Sequence, residues 1–198
     1  MCVSSRLRYV LLNTLSLLVF SVLGLSIAQA QESESADSSD WVAATMCHVD
    51  NRSVDLKQAP SFTFTGADGN NPRHLDAAQA GLVTADFANL ELAWSIAFPE
   101  TSSMRAAPVI VGSTLFYSAT DAGRVFALDT ESGCAKWVYE AGTRLRSSIA
   151  YDRQGSSATL VFGDQDGSVH SLNAETGEVN WVVSGQATDN QAMITGTP

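Results

Sequence analysis

Three cysteines in 198 residues are too few for a scaffold built from disulfides. Only Cys47 and Cys134 lie beyond the first 30 residues, and they could form one bond or stay apart. The fold must therefore be held mainly by its core. Basic charge is scarce too, with 11 Lys and Arg against 21 Asp and Glu. So acidic a surface repels phosphate backbones and argues against nucleic acid as a partner. No segment beyond Leu90 shows helical periodicity, which argues against alternating βαβ units. G-x-S-x-G, H-E-x-x-H and phosphate-binding glycine loops are also missing, and with them three common signatures of catalysis and nucleotide binding.

The one long apolar run, residues 9–25, follows Arg6 and Arg8 and precedes Ala28-Gln-Ala30. A positive start, an apolar stretch and small residues predict a signal peptide over residues 1–30, cleaved before Gln31. The run is shorter than the ~20 residues of a spanning helix, so no integral membrane segment is expected after cleavage. The location predicted is periplasmic or secreted. Residues 31–40 (QESESADSSD) hold almost nothing apolar and cannot offset the entropy of ordering. Residues 41–60 are ambiguous, and 31–60 is taken as a flexible leader or linker.

What the chain does contain is a repeat. Trp94, Trp137 and Trp181 fall 43 and 44 residues apart. The last two close matching segments, residues 127–137 (ALDTESGCAKW) and 171–181 (SLNAETGEVNW), which align Asp129 with Asn173 and Gly133 with Gly177. A period of about 40–45 residues signals stacked units of repeated small sheets. Short β-branched and aromatic runs follow, broken by turn formers at 8–12-residue spacing, as in an antiparallel meander. Four such runs fill each unit, the content of a propeller blade. Asp121-Ala-Gly123 and Asp164-Gln-Asp-Gly167 read as hairpin turns. Val125, Leu128, Val169 and Leu172 are predicted to face a sheet interior, and each tryptophan to start an outer strand and fill the gap between blades.

Residues 127–137 and 171–181 resemble the tryptophan-docking repeat of pyrroloquinoline-quinone (PQQ) propellers. Upstream, Gly66-Ala-Asp-Gly-Asn-Asn-Pro-Arg73, Ala80-Gly-Leu-Val-Thr84 and Asn89-Leu-Glu-Leu-Ala-Trp94 resemble the entry of a quinoprotein alcohol dehydrogenase, most closely the polyvinyl alcohol dehydrogenase branch. The resemblance covers residues 61–198. It implies an all-β fold of the eight-bladed PQQ-repeat type, with blades at about 90–145 and 146–190. Residues 191–198 look like the first strand of a third blade, so the sequence is expected to be an amino-terminal fragment or a truncated product.

The resemblance further implies PQQ as cofactor, Ca²⁺ held by residues outside this chain, an alcohol substrate that is secondary or polymeric, and cytochrome c as electron acceptor. PQQ carries three carboxylates, which arginines suit. Arg146, in Arg-Ser-Ser-Ile-Ala-Tyr151, resembles a PQQ-binding arginine of the family, although Ser147 stands where the family has glycine. Arg105 holds a similar place one blade earlier. The resemblance places no catalytic base and no metal ligand among these residues. Met46-Cys47-His48 lacks the first cysteine of a C-x-x-C-H haem site, with Ala44 in its place, and reads as an unstructured or degenerate stretch. Cys134 reads as a structural thiol in a turn, and His74 and His170 as strand-surface residues. Two other functions compete with the dehydrogenase. One is a non-catalytic propeller that scaffolds assembly at the outer membrane; the other is a truncated product without activity.

Overall fold

A computed structural model describes residues 40–58, 60–62, 74–99, 101–185 and 191–198. The predicted signal peptide and the Gly66–Arg73 entry motif lie outside the described residues. The compact unit Val42–Pro198 is all-β in character, with two antiparallel sheets and only short helical turns. The first sheet orders its strands β1 (Pro60–Phe62), β2 (Val109–Val111), β3 (Thr114–Ala119), β4 (Arg124–Asp129) and β5 (Ala135–Glu140). The second orders β6 (Ala150–Gln154), β7 (Ser157–Gly163), β8 (Ser168–Asn173) and β9 (Val179–Ser184). Every neighbour in a sheet is antiparallel. No described helix is long and apolar enough to cross a membrane.

The repeat in sequence is a repeat in register. Ala127 pairs with Trp137 and Leu128 with Ala135, while Ser171 pairs with Trp181 and Leu172 with Val179. Both sheets thus carry a bulge just before the tryptophan, and bulges re-aim the side chains that follow them. The turn ahead of each bulge is built alike. Asp129 Oδ1 accepts the backbone N–H groups of Glu131 and Ser132 at 3.2 and 3.0 Å, and Asn173 Oδ1 accepts those of Glu175 and Thr176 at 2.8 and 3.3 Å. Only that acceptor oxygen is needed, so aspartate and asparagine interchange here.

Trp94 joins its neighbour as Trp137 does. The Trp94 indole N–H donates to Thr130 O at 2.9 Å and the Trp137 indole N–H to Ala174 O at 3.2 Å. Gly133 and Gly177 have φ of 73° and 75°, and a β-carbon on either would fall 2.5 or 2.7 Å from the facing indole ring. Glycine is required twice over, by conformation and by space. Trp137 thereby seals the joint between the two sheets. One core cluster draws on both of them, including Val109, Phe116, Trp137, Leu160, Phe162 and Leu172. The predicted interior positions Val125, Leu128 and Leu172 are buried, and Val169 is half-buried. Trp94 itself belongs to no strand, which corrects the expectation that each tryptophan starts one. Residues 191–198 also form no strand, although Ile194 N–H donates to Asp164 O at 3.0 Å as Leu145 N–H does to Thr120 O at 2.9 Å.

Three readings of single residues change. Cys47 and Cys134 form a disulfide, so Cys134 is no free thiol. Residues 46–48, read as unstructured, are ordered: Cys47 is buried and its N–H donates to Ala135 O at 2.8 Å. His170, read as a strand-surface residue, is only 4% exposed. Its ring stacks on Phe162 with centroids 5.0 Å apart, Nε2 lies 2.8 Å from Asp164 Oδ2, and Nδ1 lies 3.0 Å from the Tyr139 hydroxyl. An alternating strand does not reveal which face meets another sheet, and a buried histidine then needs partners on both nitrogens.

Residues 42–58, expected within the leader, lie across one end of both sheets. Met46 bridges Ala135 at the start of β5, and the Asp55 carbonyl closes against Gly112 in the β2–β3 hairpin. Leu56 enters the shared core, and its carbonyl accepts a hydrogen bond from the Arg153 guanidinium on β6.

Candidate functional site

With one end of the strands crossed by residues 42–58, the opposite end carries the arginines. Arg105 stands four residues before Val109 of β2, and Arg146 four residues before Ala150 of β6. The segments bearing them are joined directly, since Ala107 N–H donates to Ser148 Oγ at 2.8 Å. Beneath Arg146 the backbone is fixed. Leu145, Ser147 and Ile149 are fully buried. Ser147 Oγ donates to Gly163 O at 2.9 Å and accepts Gly163 N–H at 2.8 Å, while Ser118 Oγ donates to Ser147 O at 2.8 Å. The serine that departs from the family's glycine therefore clips this segment to β7. Among the described residues the half-buried Arg146 guanidinium has no hydrogen-bonding or ionic partner, and Arg105 reaches only Ser103 Oγ, at 2.8 Å.

Two features of this end were not read from the sequence. Arg144 binds Asp121 Oδ1 through both Nε and a terminal nitrogen, at 3.1 and 2.5 Å. Asp121 Oδ2 also accepts the backbone N–H groups of Ser102 and Ser103 at 2.9 and 3.1 Å. Hydrogen bonding from Ser102 lowers the Asp121 carboxyl below its ordinary 3.8, with help from Arg144 and against a smaller effect of burial. The lone hint in sequence was the polar turn at 121–123. Asp129, in the docking turn at the other end, is lowered as well. Burial would raise it, but Ser132 and the Lys136 ammonium together outweigh that.

Both carboxyls are depressed on folding, so their stabilisation is present above pH 3.8 and is lost as pH falls through their lower native values. Melting temperature measured between about pH 6 and pH 2 should fall as pH drops below about 4. Asp121→Asn should shallow that drop.

Two repeats of four consecutive strands, β2–β5 (with β1 added at the edge of its sheet) and β6–β9, joined by a tryptophan docked on a positive-φ glycine, define the blade-to-blade architecture of a propeller-type repeat protein. Residues 69–198 match the PQQ_2 family, described as outer membrane protein assembly factor BamB. The chain belongs to this family of PQQ-repeat proteins. It is 28% identical to polyvinylalcohol dehydrogenase of a Pseudomonas species over 151 residues, which are 73% of this chain and 22% of that protein. To polyvinylalcohol dehydrogenase of Sphingopyxis sp. (strain 113P3) it is 30% identical over 142 residues, 70% of this chain and 21% of that protein. Among solved structures, quinohemoprotein alcohol dehydrogenase from Comamonas testosteroni superposes with a TM-score of 0.59 at 24% identity, covering 79% of this chain and 25% of that one. This chain thus spans about a fifth of the length of these two relatives.

Proposed function

We propose that this chain is the amino-terminal part of an exported PQQ-dependent dehydrogenase that oxidises alcohols, secondary or polymeric ones by its similarity to the polyvinyl alcohol enzymes. The observation that carries the reading is the pair Arg105 and Arg146. They recur at equivalent places in consecutive repeats, on adjoining segments, with no carboxylate partner among the described residues. A cofactor bearing several carboxylates fits such a pair, because charge-assisted hydrogen bonds to carboxylates are the strong ones. When bound, PQQ supplies a quinone that takes two electrons from the alcohol. The part played here is binding and orientation, with Arg146 presented by the Ser147 clip and Arg105 by the loop before β2. Ca²⁺ ligands, the base and a cytochrome c acceptor are assigned to regions beyond these residues. Export is supported by the signal-like residues 1–30 and by the Cys47–Cys134 bond, which suits an oxidising compartment.

Arg146→Gln should weaken PQQ binding by about 10- to 100-fold, the equivalent of one charge-assisted hydrogen bond. Equilibrium dialysis against PQQ with the protein that carries these repeats is the test, with melting temperature as a control for folding. Equal affinity in both proteins removes Arg146 from the site. No PQQ uptake by the unaltered protein favours the assembly scaffold, the function in the family description.

A further inference from the structure

Residues 42–58 bury Leu56 and Cys47, pack the half-buried Val54 against the core, and make a few hydrogen bonds to the sheets. Their one covalent tie is the Cys47–Cys134 bond, which spans 87 residues of sequence. It is placed to matter. Cys134 follows Gly133, on whose α-carbon the Trp94 ring rests, and Cys47 N–H docks on the neighbouring Ala135. The Arg52 guanidinium donates back to Cys47 O at 2.9 Å, which closes the local turn over residues 47–52. Ordering seventeen residues is opposed by their backbone entropy, and burying Leu56, Cys47 and part of Val54 with a few hydrogen bonds offsets only part of it. A cross-link over so long a loop removes much of the opposing freedom at once.

We propose that Cys47 and Cys134 form a redox latch, a substrate for an exported disulfide-bearing oxidant, and that its closure seats residues 42–58 over the docking end of both sheets. In the reaction a Cys47 or Cys134 thiolate attacks the oxidant's disulfide, and the second thiolate then displaces the mixed bond. The protein loses two electrons and two protons, the Cys47–Cys134 bond forms, and the oxidant's disulfide is left as two thiols. While the two thiols are reduced, the segment stays unlatched and the groove that takes Leu56 is open. After export the latch closes. This inference rests on the proposed export, and makes no use of the cofactor.

Trypsin can report the state of the latch, because Arg52 and Lys57 both lie in the segment and their side chains are exposed. The oxidised protein should resist cleavage there. Reduction with dithiothreitol, with completion checked by counting thiols, should speed cleavage after both residues on the order of tenfold or more, as expected when a segment is released locally. Hydrogen exchange of residues 42–58 should rise in parallel while β3, β4, β7 and β8 stay protected. The double variant Cys47→Ser, Cys134→Ser should behave like the reduced protein with or without dithiothreitol. Unchanged protection of 42–58 after full reduction would overturn the latch. So would loss of protection throughout both sheets, because the bond would then support the whole fold and not this segment. The in-vitro result stands apart from export: a working latch in a protein whose thiols are found reduced in its own compartment would sink the export reading alone.

Discussion

Trp137→Ala is expected to lower the unfolding free energy by about 3–5 kcal/mol, the cost of emptying a large aromatic site in a core. The ring bridges the sheets: it lies 5.8 Å from Phe116 by centroid, faces Gly177 on the second sheet and donates to Ala174 O. Alanine would leave that buried carbonyl without its donor and a cavity along the joint. Gly177→Ala attacks the same joint from the other side. Its β-carbon would lie 2.7 Å from the ring, on a backbone at φ 75°, so the indole must move. Because both changes act on one contact, the double variant should cost clearly less than the two single losses added together. Denaturant unfolding of the four proteins decides the point. Simple additivity would mean that ring and glycine do not form one unit.

Asp164→Ala should cost a similar amount, about 3–5 kcal/mol, for an electrostatic reason. Asp164 Oδ1 accepts the N–H groups of Asp166 and Ser168 at 3.0 and 2.7 Å, and Oδ2 faces His170 Nε2. A carboxylate only accepts, so Nε2 donates to it, and in that tautomer Nδ1 accepts a hydrogen bond from the Tyr139 hydroxyl. Alanine strands two backbone donors and one imidazole N–H, at a site whose histidine is 4% exposed. Asp164→Asn keeps the Oδ1 acceptor for the turn and turns only the histidine contact around. The imidazole can answer by moving its proton to Nδ1 and donating to the Tyr139 oxygen. Asparagine should therefore cost no more than about 1–2 kcal/mol. Equal losses for the two variants, measured by thermal unfolding, would show that the histidine contact and not the turn carries the effect.

The architecture was legible because its signals are local and repeat. Gly123, Gly133, Gly167 and Gly177 all take the positive φ that their turns led one to expect. The spacing of the tryptophans foretold that docking would recur. What escaped the sequence was long-range. Cys47 and Cys134 stand 87 residues apart, and no spacing rule says whether two such thiols meet. Residues 42–58 look like leader by composition and are ordered by partners far along the chain. The burial of His170 depends on which face of β8 meets Tyr139, and period-two alternation leaves that open. At the candidate site, Arg105 and Arg146 could be picked out by resemblance. The Ser147 clip and the Arg144–Asp121 pair could not, since each joins loops that only the packed sheets bring together.

The placement of Trp94 also makes the two sheets unequal in their couplings. In a linear array each unit is held by its own internal stability plus the couplings to its neighbours. Among the described residues the first sheet has two couplings, one through Trp94 and one through Trp137, whereas the second has Trp137 alone. Trp181, the next residue of the series, is 45% exposed, and Val179, Val182 and Val183 beside it are 47–58% exposed. Within these residues the array is therefore polar: β9 presents the face open to a further docking partner, and the sheet nearer the amino terminus is coupled on both sides.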